Sequence, residues 1–145
     1  FDMGVPVHQT PDALLDQLWD LNVRTLLPVC AAVVPYLVAQ GCGQVVTVGA
    51  QGAVRGGALM GAYAASKSAL MRLTESLSAE LKTQGVNANC VLPSIIDTPA
   101  NRTAMPDVDP ATWVSPAALA DVVVFLASPQ ARAIHGACLP VTGLI

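Results

Sequence analysis

Charged and aromatic residues are scarce in this chain. Of its 145 residues, 12% are charged and 4% are aromatic, whereas 53% are hydrophobic. The formal net charge is −3 and no cluster of lysines and arginines occurs, so the composition offers no basic surface for nucleic acid. A chain of this length and apolar content is expected to form one domain with a large buried core.

The sequence also lacks the common signatures of metal and hydrolytic sites. It contains no CxxC pair, G-x-S-x-G elbow, Walker loop or carboxylate pair. His8 and His135 are isolated from other ligands, so no metal site is predicted. The four cysteines lie among apolar or small residues: Cys30, Cys42, Cys90 and Cys138. We expect buried free thiols, which favour a reducing, cytoplasmic compartment.

No membrane-spanning run or signal peptide is visible. The longest nearly apolar run, residues 26–39, is too short to cross a bilayer and contains Pro28 and Pro35, so it predicts a core helix. The opening residues lack a basic start, an apolar stretch and an initiator methionine, which suggests a fragment or a processed chain. We therefore expect neither a membrane nor a nucleic acid as partner.

A long first helix is predicted from its start signal and its periodicity. Thr10 is a good N-cap, and Pro11 and Asp12 suit the first turn that follows it. Apolar residues then recur at close to a 3.6-residue period as far as residue 37. Pro28 is expected to disturb this helix, because proline removes a backbone hydrogen bond and crowds the preceding turn.

Two further helices and three strands complete the predicted order of elements. The helices cover residues 60–82 and 115–127, and the strands cover residues 44–49, 86–92 and 138–142. Strands separated by helices predict a parallel α/β sheet. Pro140 favours an edge position for the last strand. In the helix at residues 60–82, the residues expected to pack inward are Ala62, Ala65, Ala69, Leu70, Leu73, Leu77 and Leu81.

Tyr63 and Lys67 are the main candidates for chemistry. Residues four apart on a helix share a face, so the ammonium can approach the phenol. A phenol titrates near ~10, and a nearby cation lowers this pKa, which would make the pair a tuned acid or base. The alternative is an ordinary solvated helix face. The loops after the first two strands both lead to one rim of the sheet, where parallel α/β proteins bind ligands, and this placement favours function.

Four segments resemble the short-chain dehydrogenase/reductase family over essentially the whole chain. YAASK, which begins at Tyr63, resembles the Y-x-x-x-K signature, and LNVRT, which contains Asn22, resembles the segment with the active-site asparagine. LPSIIDTP resembles the segment along the nicotinamide, and HGACLPVTG resembles the closing strand. The resemblance implies an α/β fold, the carboxy-terminal part of a doubly wound parallel-sheet Rossmann-like domain, and a hydride-transfer enzyme that uses NAD or NADP.

The resemblance also implies roles for individual residues. Tyr63 would exchange a proton with a small-molecule substrate, and Lys67 would lower the pKa of this phenol and bind the nicotinamide ribose. Asn22 would hold a water of the proton relay through its backbone carbonyl; the alternative is a polar residue on a helix surface.

The segment after the second strand would complete the cofactor site. Thr98 and the backbone near Ile96 would bond the carboxamide, and Pro93 lies in the same segment, so the implied cofactor-binding set is Tyr63, Lys67, Pro93, Ile96 and Thr98. The alternative for Thr98 is a helix N-cap, and both roles are compatible.

Ala50 departs from the family pattern, which places a catalytic serine thirteen residues before the tyrosine. Alanine cannot donate a hydrogen bond to a carbonyl, and losing one such contact often costs ~10²–10³ in rate. Quinonoid dihydropteridine reductase, one branch of the family, also lacks this serine, and the segments around Tyr63 and residues 92–116 resemble it. This resemblance implies a flat, conjugated or heterocyclic substrate; other short-chain reductases can carry the same loop.

A second departure concerns the cofactor cradle. The T-G-x-x-x-G-x-G turn that binds the pyrophosphate does not occur in these residues. We therefore expect residues 1–145 to form a single partial domain that lacks the amino-terminal βαβ units and binds dinucleotide poorly, with little activity alone. The alternative function is a catalytically impaired oligomerisation module, since the family pairs two long helices in homodimers or homotetramers.

Overall fold

The structure is a computed structural model that describes residues 3–145. Three parallel strands, β1 (Gly43–Val48), β2 (Val86–Pro93) and β3 (Cys138–Val141), form one sheet in the order β1-β2-β3. The longer helices are α1 (Asp12–Trp19), α2 (Leu26–Gln40), α3 (Gly61–Leu81), α4 (Pro99–Ala104) and α5 (Pro116–Leu126). The predicted parallel α/β arrangement is confirmed.

The central strand β2 carries the core on both of its faces. All eight of its residues are buried. Cys90 and Leu92 pack with Met71 of α3 on one face, whereas Val91 packs with Leu126 of α5 on the other. Helices therefore cover both faces, as expected for a doubly wound sheet. The edge position predicted for the strand with Pro140 is also confirmed, because β3 pairs only with β2 within residues 3–145.

The first long helix is interrupted earlier than the sequence predicted. The disturbance lies at residues Asp20–Arg24, which form a π-helical turn between α1 and α2, and not at Pro28. Pro28 falls in the first turn of α2, where backbone N–H groups have no partner within the helix in any case. The predicted cap is also wrong. Pro11 occupies the N-cap position, and the Thr10 hydroxyl donates to the Pro6 carbonyl instead.

The buried face of α3 differs from the prediction. It consists of Ala64, Ser66, Leu70, Met71, Thr74, Ser78 and Leu81. Of the residues predicted to face inward, Leu70 and Leu81 are buried, but Ala65 is exposed and the others are half-buried. One reason is that the buried hydroxyls of Ser66 and Thr74 find hydrogen-bond partners within the fold, as Thr74 does with the Leu70 carbonyl and the Thr47 hydroxyl. The polarity of the side chains on α3 therefore did not predict which of them face solvent.

The prediction that α2 is a core helix is wrong for this chain. No residue of α2 is buried, and Tyr36 is 72% exposed. By length and composition alone, the helical segment Asp12–Gln40 could cross a membrane. Only 6% of its most apolar stretch of 18 residues is buried within the structure. A single such helix is weak evidence for a membrane span, because the test uses length and composition only. The expected burial of all four thiols is also wrong, since Cys42 is exposed.

The segment before β3 is fastened to β2 by buried asparagine side chains. Asn89 is 1% exposed, donates to the Ile134 carbonyl at 2.9 Å and accepts from the Ala137 backbone N–H at 2.9 Å. Asn87 donates to the Ala131 carbonyl at 3.0 Å and to the Ile134 carbonyl at 3.1 Å. These amides therefore anchor an irregular segment to the middle of the sheet.

Asn89→Ala is expected to lower the free energy of unfolding by about 2 kcal/mol, because it leaves the Ala137 N–H without its acceptor. Urea unfolding of the full-length protein measures this change. Gln84→Ala is the control, since it removes an exposed amide that donates to the Glu80 carbonyl, and it should change the stability by less than about 0.5 kcal/mol. Equal effects of the two variants would contradict the anchoring role of Asn89.

Candidate active site

A cleft of about 700 Å³ opens at the carboxyl ends of β1 and β2. This is the edge at which parallel α/β sheets bind ligands. Among the lining residues that the structure describes, Lys67 has the only charged side chain, and the others are apolar or uncharged. The described residues that line it are Met3, Val48, Gly49, Ala50, Gln51, Gly52, Met60, Tyr63, Lys67, Pro93, Ser94, Ile95, Ile96, Asn101, Ala104 and Met105.

Tyr63 and Lys67 both reach this cleft from the first two turns of α3. The predicted shared helix face is therefore confirmed. The Lys67 Nζ donates to the Val48 carbonyl at 2.9 Å, which ties the ammonium to the end of β1. Burial lowers the pKa of Lys67, because the charged form loses solvation in the cleft wall.

Tyr63 differs from the expectation in its titration. Burial raises the pKa of the phenol above its ordinary value. This direction is opposite to the one expected from the neighbouring ammonium, because loss of solvation disfavours the phenolate. Burial therefore favours the protonated phenol over the phenolate.

Asn22 contacts α3 through its side chain and is not among the described residues that line the cleft. It belongs to the π-helical turn Asp20–Arg24, and such turns occur frequently at functional sites. Its side-chain amide donates to the Ser66 hydroxyl at 3.0 Å, and this hydroxyl donates in turn to the Tyr63 backbone carbonyl at 2.8 Å. The structure thus brings Asn22 to the helix of Tyr63 through a residue that the sequence analysis did not single out.

The end of β2 and the segment that follows it contribute further lining residues of the cleft. Pro93 and Ile96 line it, whereas Thr98 does not. Thr98 is the N-cap of α4, and its hydroxyl accepts from the Asn101 backbone N–H at 3.2 Å. The Asn101 amide donates to the Ile96 carbonyl at 2.8 Å and holds this turn in place. The Ile96 backbone N–H has no hydrogen-bond acceptor within residues 3–145 and can donate to a ligand.

Ala50 lines the cleft at the position where a serine was expected. It is 7% exposed, and its extended backbone leads into the turn Gln51–Ala53. The next residue, Gln51, also lines the cleft, so the polar group that follows Ala50 in the sequence is an amide and not a hydroxyl.

Three methionines of the cleft wall were not predicted: Met3, Met60 and Met105. They come from three distant parts of the chain, so no local pattern could have identified them. Methionine is flexible and polarisable, and its sulfur makes favourable contacts with aromatic rings. The wall can therefore adapt to a flat apolar ligand.

Comparisons with known proteins identify relatives of this chain by sequence and by fold. The family model described as enoyl-(acyl carrier protein) reductase matches residues 2–143. The 2-(R)-hydroxypropyl-CoM dehydrogenase of Xanthobacter autotrophicus is 31% identical, over 94% of this chain and 59% of that protein. A solved short chain dehydrogenase/reductase family protein is 32% identical with a TM-score of 0.90, over 99% of this chain and 62% of the other.

A third relative was solved with a cofactor. It is described as an NAD(P)-dependent gluconate 5-dehydrogenase from Beutenbergia cavernae with bound NADP, and it is 27% identical with a TM-score of 0.87. The match covers 96% of this chain and 60% of that structure. The chain thus spans about three fifths of the length of these relatives. By its sequence and its fold, the chain belongs to the short-chain dehydrogenase/reductase family.

Proposed function

We propose that the chain supplies the proton-transfer and nicotinamide-binding part of an NAD- or NADP-dependent oxidoreductase. One observation carries the proposal: Tyr63 and Lys67 lie together in a cleft at the carboxyl edge of the sheet. The family is one of dehydrogenases and reductases, and a relative of similar fold holds NADP. Because the chain spans only part of those relatives, we also propose that the remaining cofactor contacts come from outside residues 1–145.

In the proposed reaction, Tyr63 donates a proton to the substrate atom that is reduced. A phenol is protonated at neutral pH and burial favours that form further, so its proton is available when negative charge develops on the substrate. Lys67 lies on the same helix face, and its positive charge stabilises the phenolate as it forms. The Val48 carbonyl fixes the position of this ammonium at 2.9 Å.

The residues of the cleft fit a nicotinamide dinucleotide. An ammonium carries three protons, of which the structure shows one bonded to Val48, so Lys67 can also donate to ribose hydroxyls. The Ile96 backbone N–H is the proposed carboxamide contact in the cleft, and Pro93 and Ile96 form the apolar wall. The Thr98 hydroxyl is proposed as a second contact from the N-cap of α4, outside the described lining of the cleft. When bound, the dinucleotide gives a hydride to the substrate or takes one from it.

The substrate is proposed to be small, uncharged, and flat or conjugated. Ala50 offers no hydroxyl to a carbonyl oxygen, so an ordinary ketone would lack one stabilising contact in its transition state. A conjugated ring spreads the developing charge over several atoms and depends less on that contact. The three methionines of the wall favour the same shape.

Steady-state assays of the full-length protein test this proposal. NADH and NADPH oxidation is followed with two acceptors of similar size, an uncharged quinonoid heterocycle and a saturated cyclic ketone. The quinonoid acceptor is expected to be reduced with a kcat/KM about 100-fold or more above that of the ketone. Oxidation of neither dinucleotide with either acceptor would refute the proposed activity.

A second proposed function is self-association, with or without catalysis. Val29, Val33 and Tyr36 form an apolar stripe on α2 and are 59%, 45% and 72% exposed. Their spacing places them on one face of the helix. Such a stripe is typical of a protein interface, and we propose that it pairs with a second copy in a homodimer or homotetramer, in line with the helix pairing implied by the family.

Val33→Asp is expected to weaken self-association about 100-fold or more, because two-fold symmetry would bring two desolvated carboxylates together. Sedimentation velocity of the full-length protein measures the change. Ala31→Asp adds the same charge about 160° away around α2 and should leave the oligomer intact. Loss of the oligomer in both variants, or in neither, would contradict an interface at this stripe.

A further inference from the structure

A chain of two hydrogen bonds connects the first long helical segment to the residue proposed for proton transfer. The Asn22 amide donates to the Ser66 hydroxyl at 3.0 Å, and the Ser66 hydroxyl donates to the Tyr63 backbone carbonyl at 2.8 Å. Asn22 and Ser66 lie 44 positions apart in the sequence. This contact therefore fixes two separate helices relative to each other at the level of Tyr63.

The burial of Ser66 makes this link specific. Ser66 is 0% exposed, so its hydroxyl depends on protein partners to satisfy its hydrogen bonding. The hydroxyl accepts a hydrogen bond from the Asn22 amide and donates one to the Tyr63 backbone carbonyl, so it serves as both acceptor and donor in the link. An alanine at this position would keep the packing of the Cβ and remove the link alone.

The backbone on the Asn22 side needs such support. Residues Asp20–Arg24 are π-helical, a conformation that is rare and occurs mostly as a single turn inside an α-helix. Two side chains of the surrounding segment, Leu18 and Val23, are 2% and 6% exposed, so this segment also covers the interior next to α3. A shift of the turn would admit water toward the base of Tyr63.

We propose that Ser66 is a positioning residue, which locks the π-helical turn at Asn22 to the first turn of α3 and thereby sets the place of the Tyr63 phenol in the cleft. The inference rests on the proposed function, because it concerns the same proton-transfer site. Asn22 then acts through its side chain as well as through any contact of its backbone carbonyl.

Titration of the Tyr63 phenol tests this role without a substrate. Absorbance of the full-length protein near 295 nm is followed against pH, and the curve of a matching Tyr63→Phe protein is subtracted so that only this phenol remains. Burial raises the pKa of Tyr63, so a loosened turn that admits water should move the midpoint down toward the ordinary value.

Ser66→Ala and Asn22→Ala are each expected to lower this midpoint, and the double variant is expected to lower it no further than either single variant. Such non-additivity is the mark of two residues in one interaction. If Ser66→Ala does not fold, Asn22→Ala decides alone, because it removes the same contact from a half-buried position.

Thr74→Val is the matched control. Thr74 is also 0% exposed on α3, donates to the Leu70 carbonyl at 2.9 Å and pairs with the Thr47 hydroxyl at 2.8 Å. It does not line the cleft, so its replacement should leave the Tyr63 midpoint unchanged. An unchanged midpoint in both Ser66→Ala and Asn22→Ala, or an equal shift in Thr74→Val, would overturn the proposal. The proposed function fails separately, if Tyr63→Phe retains full reductase activity.

Discussion

Tyr63→Phe in the full-length protein is expected to lower the kcat of NAD(P)H-dependent reduction by about 10²–10⁴-fold, the contribution of one positioned proton donor. Phenylalanine keeps the aromatic ring in the cleft wall and removes the hydroxyl alone. The KM for the dinucleotide should change much less, since Lys67 and the segment after β2 remain in place.

Tyr36→Phe is the natural control for this experiment, because the chain contains two tyrosines and Tyr36 is 72% exposed on α2. It should leave kcat unchanged. Full activity of Tyr63→Phe would show that the proton comes from another group. Equal losses in both variants would indicate a general effect of removing tyrosine hydroxyls and would also contradict the assignment.

Ala50→Ser is expected to raise the kcat/KM for a saturated ketone by about 10²–10³-fold, because a hydroxyl placed in the cleft stabilises the developing oxyanion. The same variant should change the reduction of a conjugated heterocycle by less than about tenfold, since charge in that substrate is spread over the ring. Parallel assays of the two acceptors, with the same dinucleotide, measure the difference.

Ala65→Ser serves as the control for Ala50→Ser. Ala65 is exposed on α3 and does not line the cleft, so an added hydroxyl there should leave both acceptors unaffected. If Ala50→Ser improves neither acceptor, Ala50 does not occupy the place of a substrate-binding hydroxyl. If it improves both equally, the proposed preference for conjugated substrates is wrong.

Local sequence patterns were sufficient for the order of elements and for most of their ends. The helix predicted at residues 115–127 is observed at Pro116–Leu126, and Ser115 caps it with its hydroxyl accepting from the Ala118 backbone N–H at 3.1 Å. The strand predicted at residues 86–92 is observed at Val86–Pro93. These features depend on groups a few residues apart, so a single sequence contains the information that determines them.

Features that depend on distant contacts were predicted less well. The apolar periodicity of α2 is real, but burial requires a partner surface, and residues 3–145 do not provide one. The reverse holds for α3, where Ser66 and Thr74 are polar and yet fully buried. Their hydroxyls are satisfied by helix carbonyls and by side chains that lie far away in the sequence, which no periodicity reports.

The candidate site shows the same division. Tyr63 and Lys67 could be placed on one helix face from their spacing, and the cleft could be placed at the carboxyl edge from the order of strands. The direction of the Tyr63 pKa could not be predicted, because it depends on how deeply the folded chain buries the ring. Ser66 was missed for a related reason, since its partner Asn22 comes from another helix.

The central claim is that the cleft beside Tyr63 and Lys67 is the place of hydride transfer from a nicotinamide dinucleotide to a substrate. It is tested most directly by giving the full-length protein NADH or NADPH deuterated at the transferable position of the nicotinamide ring, with a conjugated acceptor that receives the hydride at a carbon atom, where the label does not exchange with water. Deuterium in the product is then measured by mass spectrometry. The account predicts one deuterium per product molecule in the parent protein and a strongly reduced yield of the same labelled product with Tyr63→Phe. Product without deuterium, or an equal yield from both proteins, would contradict it.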